Sequence, residues 1–201
     1  KLVIGYRTAA RELGRILAER GIGLVYGGGS VGLMDDVAQG ALDAGGEVIG
    51  VITEQLLALE VARLDLTELH VVGGMHARKL KMSDLSDAFV ALPGGYGTLD
   101  ELFEAVTWTQ LNIHHKPVAL LDVDGYFEHL SLFLDRAHED GFRVASRDAR
   151  SRLLLVQISA DGSAETAARY ADPGWSRRTL TDLALDAAGN LWAISTMNQT
   201  M

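Results

Sequence analysis

A doubly wound α/β fold, a parallel sheet with helices on both faces and a short C-terminal extension, is predicted by three observations in this 201-residue sequence. Short, continuously apolar runs alternate with segments of helical spacing, the pattern of parallel strands covered on both sides. Fifteen of the 22 glycines fall in 21–50 and 73–97, beside those runs. After residue 171 the pattern changes to period two, which separates a domain over 1–171 from an extension over 172–201.

Leu2-Val3-Ile4-Gly5 reads as a short buried strand, and Thr8 to Arg20 as a helix with Ala9, Ala10, Leu13, Ile16 and Leu17 on one face. Gly21 stands where a helix C-cap is expected. Gly23 to Tyr26 is a second strand ending in Gly27-Gly28-Gly29-Ser30, followed by a helix from Leu33 to Ala44 and a strand from Glu47 to Ile52. Leu69 to Val72 is a short strand leading to a helix over His76–Ser86. Ala88 to Leu92 is a strand that breaks into Pro93-Gly94-Gly95-Tyr96-Gly97-Thr98. A helix from Leu99 to Asn112, a strand from Pro117 to Leu121 and a helix from Tyr126 to Asp140 follow. Leu153 to Val156 is read as a last strand and Ala164 to Tyr170 as a closing helix. In the extension, 180–185 and 190–194 alternate around Asp186-Ala187-Ala188-Gly189, a hairpin pattern. This order is Rossmann-like, and such folds bind ligands beyond the C-terminal ends of their strands, where both glycine clusters fall.

Composition excludes several chemistries. With no cysteine there is no disulfide framework, thiolate zinc site or cysteine nucleophile. No apolar run approaches the roughly 20 residues of a membrane helix, and the first residues do not read as a signal peptide. A cytoplasmic protein without membrane attachment is therefore expected. The net charge of −9 argues against a nucleic-acid surface but leaves room for one phosphate in a local pocket. The histidines show no metal spacing, and no serine stands in a nucleophile elbow.

The segment Pro93 to Glu101 is the best-defined feature. A strand delivers the chain to a glycine-rich turn that opens a helix, so successive N–H groups and the helix dipole favour an anion. Gly94, Gly95, Gly97 and Thr98 are the phosphate-binding candidates. The spacing is neither the dinucleotide fingerprint nor a P-loop, which points to a monophosphate end. Glu101, expected in the first helical turn, is either a dipole partner or a carboxylate working beside the anion, with Glu104 as a competitor. Met75-His76-Ala77-Arg78-Lys79 opens another helix. Its cations Arg78 and Lys79 sit where the dipole disfavours them, which indicates a ligand or carboxylate partner, or two solvated cations. Gly27 to Ser30 is a similar turn, read as facing the 93–98 turn across one crevice; Gly28, Gly29, Met75 and Lys79 are the substrate-binding candidates.

These segments resemble the LOG (LONELY GUY) family of cytokinin riboside 5′-monophosphate phosphoribohydrolases, often labelled lysine decarboxylases. The resemblance rests on Gly27-Gly28-Gly29-Ser30-Val31-Gly32-Leu33-Met34, Met75 to Lys79, Pro93 to Glu101 and the stretch from Leu102 to Gly141, and covers most of 1–171. It implies hydrolysis of the N-glycosidic bond of N6-modified adenosine monophosphates, and of AMP, to free base and ribose 5-phosphate. It implies Arg78 and Glu101 as the catalytic pair and the 94–98 turn as the 5′-phosphate site. It further implies a homodimer or higher homo-oligomer and no metal or organic cofactor. The alternative is a LOG-like carrier that holds a phosphorylated ligand without turning it over, as molybdenum-cofactor carriers do. A pyridoxal-dependent decarboxylase is disfavoured, because no lysine has a recognisable Schiff-base context. The resemblance departs in two places. The family's Cys/Ser-Gly-Ser loop after the first strand is missing, so that Gly5-Tyr6 runs straight into Arg7, and the tail after 171 has no family counterpart. Either the site lacks that loop as a wall, or the loop lies in a segment absent from this sequence.

Overall fold

A computed structural model of the chain describes residues 4–59 and 62–142, together with the backbone of strands at 153–158, 164–168, 178–179, 182–185 and 191–194. Two compact units divide it, the first ending at Ser86 and the second beginning at Asp87.

The first unit opens on a helix, α1 (Ile4–Glu19). The expected strand over Leu2–Gly5 is thus corrected at Ile4 and Gly5; Leu2 and Val3 lie outside the described residues. No turn residues separate those two positions from the helical pattern that follows, so the helix takes them in, and Ile4 is left 78% exposed. The helix ends as its sequence indicates. Gly21 adopts φ +70°, and the N–H of Ile22 reaches back to Leu17 O at 2.9 Å.

Strands β1 (Leu24–Tyr26), β2 (Val48–Thr53) and β3 (Glu68–Val72) form a parallel sheet in that order. Between them lie α2 (Gly32–Asp43) and the one-turn α3 (Glu54–Ala58), which the apolar pattern does not announce. Thr53 caps α3 by accepting from Leu56 N–H at 3.3 Å. Both faces of β2 are covered, since Val48, Val51 and Ile52 are fully buried. Val48 packs with Tyr26 and with Ala38 and Ala41 of α2. Burying each large aliphatic side chain stabilises the fold by about 1.5–3 kcal/mol. Helix α4 (Met75–Leu85) lies against all three strands. Helices α1 and α2 approach so closely that a Cβ on Gly14 would stand 2.1 Å from Val37 O, and one on Gly40 2.0 Å from Arg11 O.

The second unit carries β4 (Phe89–Ala91), α5 (Tyr96–Gln110), β5 (Val118–Val123) and α6 (Glu128–Glu139). All six residues of β5 are buried. Leu102 and Ala105 of α5 pack with Val118, Leu120 and Phe127 into its core. Strands β4, β5 and β6 (Leu153–Ile158) pair in parallel. The segment read as a closing helix is instead a strand, β7 (Ala164–Ala168), antiparallel to β6 and extended by β8 (Arg178–Thr179). Its Ala-rich composition favours a helix, but the ladder offered by β6 overrides that weak preference; Tyr170 lies outside the described residues. The hairpin pattern of the extension is matched by β9 (Asp182–Leu185) and β10 (Leu191–Ile194), antiparallel with Leu185 opposite Leu191. The connecting 186–190 lie outside the described residues.

The α/β class with parallel sheets and covered faces is the one the sequence predicts. No described helix is long and apolar enough to cross a membrane.

Candidate functional site

In the first unit the predicted residues gather at the end of β1. Arg78, the fourth residue of α4, is a buried cation at 7% exposure. Its Nε donates to Val51 O at 2.8 Å and its Nη2 to Gly27 O at 3.0 Å, while Nη1 lies 3.4 Å from Met75 Sδ. Two of its three nitrogens are thus aimed by backbone carbonyls of β2 and of the turn after β1. The fit depends on glycine, because a Cβ on Gly27 would stand 1.8 Å from Nη2. Gly28 and Gly29 are buried in the same turn, with Gly28 at φ +70°, a conformation that strongly favours glycine. Met75 is 46% exposed at the start of α4, and Lys79 follows Arg78 at intermediate exposure.

Two charged networks brace this region, and neither was read from the sequence. Asp36 of α2 is fully buried and accepts from Arg7 Nε at 2.7 Å, Arg7 Nη2 at 2.9 Å and Arg11 Nε at 3.0 Å. The Arg7 hydrogen bonds, with help from Arg11, hold its carboxyl below the usual carboxylate range against the opposing effect of burial. The i,i+4 spacing of Arg7 and Arg11 is the signal that could have suggested a shared acid. Arg63 is the centre of the second network; its hydrogen bond to Asp65 raises its affinity for its proton still further.

In the second unit α5 begins at Tyr96, three residues earlier than the sequence suggested. Gly97 and Thr98 therefore lie within its first turn. The N–H groups of Gly95, Tyr96, Gly97 and Thr98 precede the first intrahelical bond, Leu99 N–H to Gly95 O at 3.1 Å. Gly95, Tyr96 and Gly97 are exposed, and Thr98 is half-buried with its hydroxyl seated against Gly94. A Cβ on Gly94 would stand 2.1 Å from Thr98 Oγ1. Glu101 becomes the sixth residue of α5, one turn deeper than expected and partly buried; no acid occupies the first turn. Glu104 lies one turn further along.

A residue given no role beforehand supports this turn. Tyr126 Oη donates to Gly94 O at 2.7 Å. It is presented by a tight reversal in which Asp124 and Gly125 adopt φ 53° and 72°. The reversal is closed by Asp122, 1% exposed, whose Oδ1 accepts from Phe127 N–H at 2.8 Å. The Asp-Gly pair after a buried strand is the sequence signal for such a turn. Among the described residues no three His, Asp or Glu side chains are placed to hold a metal ion.

Chemically, the second unit offers an anion-favouring helix start with a hydroxyl and a carboxylate on the same helix. The first offers a guanidinium fixed by main-chain carbonyls. Through its N–H donors a guanidinium held in this way can orient and polarise a bound group.

Comparison with known proteins shows the family of the chain. The family model described as possible lysine decarboxylase matches residues 34–163, a span that includes both Met75–Lys79 and Pro93–Glu101. A probable cytokinin riboside 5′-monophosphate phosphoribohydrolase of Oryza sativa subsp. japonica is 51% identical over 156 residues, 78% of this chain and 63% of that protein. A cytokinin riboside 5′-monophosphate phosphoribohydrolase of Arabidopsis thaliana is 54% identical over 156 residues, 78% of this chain and 72% of that protein. The chain thus spans 63% and 72% of the length of these two relatives. Among solved structures, the molybdenum cofactor binding protein of Rippkaea orientalis is 27% identical, with a TM-score of 0.56 over 71% of this chain and 81% of that one.

Proposed function

The chain belongs to the possible lysine decarboxylase family that includes the LOG phosphoribohydrolases, and from that premise we propose that it hydrolyses the N-glycosidic bond of nucleoside 5′-monophosphates. The substrates are cytokinin riboside 5′-monophosphates and AMP; the products are free base and ribose 5-phosphate. The observation that carries the reading is the 54% identity to the Arabidopsis enzyme over 156 residues.

In this reading the N–H groups of the 94–98 turn and the Thr98 hydroxyl take the 5′-phosphate. The bond between the base nitrogen and C1′ breaks with its electron pair leaving on the base, and positive charge develops on the ribose ring. Glu101 stabilises that charge and polarises the water that attacks C1′; the proton that water releases ends on the base. Arg78, held by Val51 O and Gly27 O, contributes directed hydrogen bonding to the ribose hydroxyls or the leaving base. Gly28, Gly29, Met75 and Lys79 line the substrate's path. The reading takes 1–171 as the nucleotide-binding domain, 172–201 as an appendage, and the active species as a cytoplasmic homodimer or higher homo-oligomer.

A carrier function is the second reading, favoured by the likeness to the molybdenum cofactor binding protein. At 27% identity, against 54% to the hydrolase, it takes second place. The deciding experiment is incubation with AMP and with N6-isopentenyladenosine monophosphate, following free base by chromatography, for the protein and for Glu101→Ala. Release by the unmutated protein and its loss in the variant support the hydrolase. No release from either nucleotide overturns it, and undiminished release by the variant removes Glu101 from the mechanism.

A further inference from the structure

Two adjacent carbonyls of the glycine turn are each engaged by an arginine. Gly27 O accepts from Arg78 Nη2 at 3.0 Å, and Gly28 O accepts from the backbone N–H of Arg63 at 2.9 Å. Arg63 lies between α3 and β3, beside Ala62, which forms an isolated antiparallel bridge with Gly29. Arg63 is buried, 8% exposed, and its side chain spreads over three partners. Nη1 donates to Asp35 Oδ1 at 2.8 Å and Nη2 to Gln39 Oε1 at 2.6 Å, four residues apart on α2. Nε and Nη2 also grip the two oxygens of Asp65 at 2.7 and 3.0 Å.

From this geometry we infer that Arg63 is a positioning residue for Arg78: it ties the glycine turn to α2 and so sets the direction of the Gly27 carbonyl on which the Arg78 guanidinium rests. The two carbonyls belong to consecutive peptides that meet at Gly28, which holds the left-handed region at φ +70°. Pinning the second peptide through Arg63 N–H therefore restrains the first. Arginine suits the place because one planar fork reaches the helix and the loop at once, and a lysine ammonium does not span those acceptors. Asp35 and Asp65 balance the buried cation. The inference rests on the reading of Arg78 as a catalytic residue.

The test reads Arg78 directly as well as through turnover. The Arg78 Nε–H, buried and bonded to Val51 O, is identified in a side-chain nitrogen–proton spectrum by its loss in Arg78→Lys. In Arg63→Met the signal is expected to shift and its hydrogen exchange to quicken by roughly tenfold or more, while Arg63→Lys falls between. Turnover of AMP is expected to drop about 10- to 100-fold in Arg63→Met, with KM changing far less. In an Arg78→Lys background the same substitution should cost little more, because both act on one element. An unchanged Arg78 signal and exchange rate, or losses that multiply independently, would overturn the inference. If Arg78→Lys leaves turnover intact, it is the catalytic assignment that fails, and the spectrum still decides whether Arg63 positions Arg78. Should Arg63→Met not accumulate as folded protein, Arg63→Lys carries the same measurements.

Discussion

Gly27 and Arg78 share one volume: a Cβ on Gly27 would stand 1.8 Å from Arg78 Nη2, which instead donates to the Gly27 carbonyl at 3.0 Å. The two residues are 51 positions apart, and no backbone atom is among the close neighbours of that Cβ. Gly27→Ala is therefore expected to move the guanidinium rather than the main chain. A displacement of that size at a reacting group costs on the order of 100-fold in rate, whereas the melting temperature should fall by only a few degrees. Steady-state hydrolysis of AMP beside a thermal melt checks this. A variant with full turnover would show that Arg78 need not occupy this seat.

The 94–98 turn, proposed to hold the phosphate, makes a parallel case in the second unit. Gly94 accepts from Tyr126 Oη at 2.7 Å, and Thr98 Oγ1 takes the space a Cβ on Gly94 would fill. Tyr126→Phe removes one hydrogen bond, worth about 0.5–1.5 kcal/mol, and is expected to raise KM for AMP by a few-fold with kcat nearly unchanged. Gly94→Ala should raise it further by pushing the Thr98 hydroxyl aside. Inhibition by ribose 5-phosphate should weaken in the same order. Equal inhibition constants in all three proteins would remove the turn from phosphate binding.

Much of this was legible in the sequence, and what was not has a common cause. The apolar runs of β2 and β5 are unambiguous because a strand buried on both faces has no polar alternation to blur it. The strand expected over Leu2–Gly5 and the helix expected over Ala164–Tyr170 rest on four and seven residues, too few to separate the two periods, and neighbouring structure decides. Arg78 and Glu101 stand out through their motifs. The Gly27 seat, the Arg63 clamp and the Tyr126 brace are contacts between residues 51, 35 and 32 positions apart, which no local pattern encodes.

Helix α1 meets α2 through Gly14 and Gly40, and this contact reverses an ordinary expectation. In a helix interior, glycine to alanine is normally stabilising by up to about 1 kcal/mol. Here the new methyl group of Gly14→Ala would stand 2.1 Å from Val37 O and 2.7 Å from Ala41 N, both backbone atoms. The helices must separate, and the substitution is expected to destabilise by about 1–3 kcal/mol. Urea unfolding measures it. A higher midpoint in the variant would show that α1 and α2 do not pack this closely.

His114 sets an acid limit on stability. Its ring lies 5.3 Å from Phe89 and 6.3 Å from Trp108, centroid to centroid, and its Nδ1 accepts from Lys116 N–H at 3.2 Å. Burial, with the nearby charges of Lys116 and His115, pushes its pKa below the ordinary value of 6.5. Protonation at Nδ1 would also take the acceptor away from Lys116 N–H. The sign follows from linkage. Well above pH 6.5 the ring is neutral in both folded and unfolded chains and contributes no slope. As the pH falls below 6.5 the unfolded chain takes up the proton first, so unfolding is favoured until the folded ring also titrates. His114→Gln keeps an acceptor without the titration and should flatten the loss of stability as the pH falls through 6.5. Melting temperatures through that fall in pH, for both proteins, make the comparison. Coincident curves would mean that His114 titrates as it does in the unfolded chain.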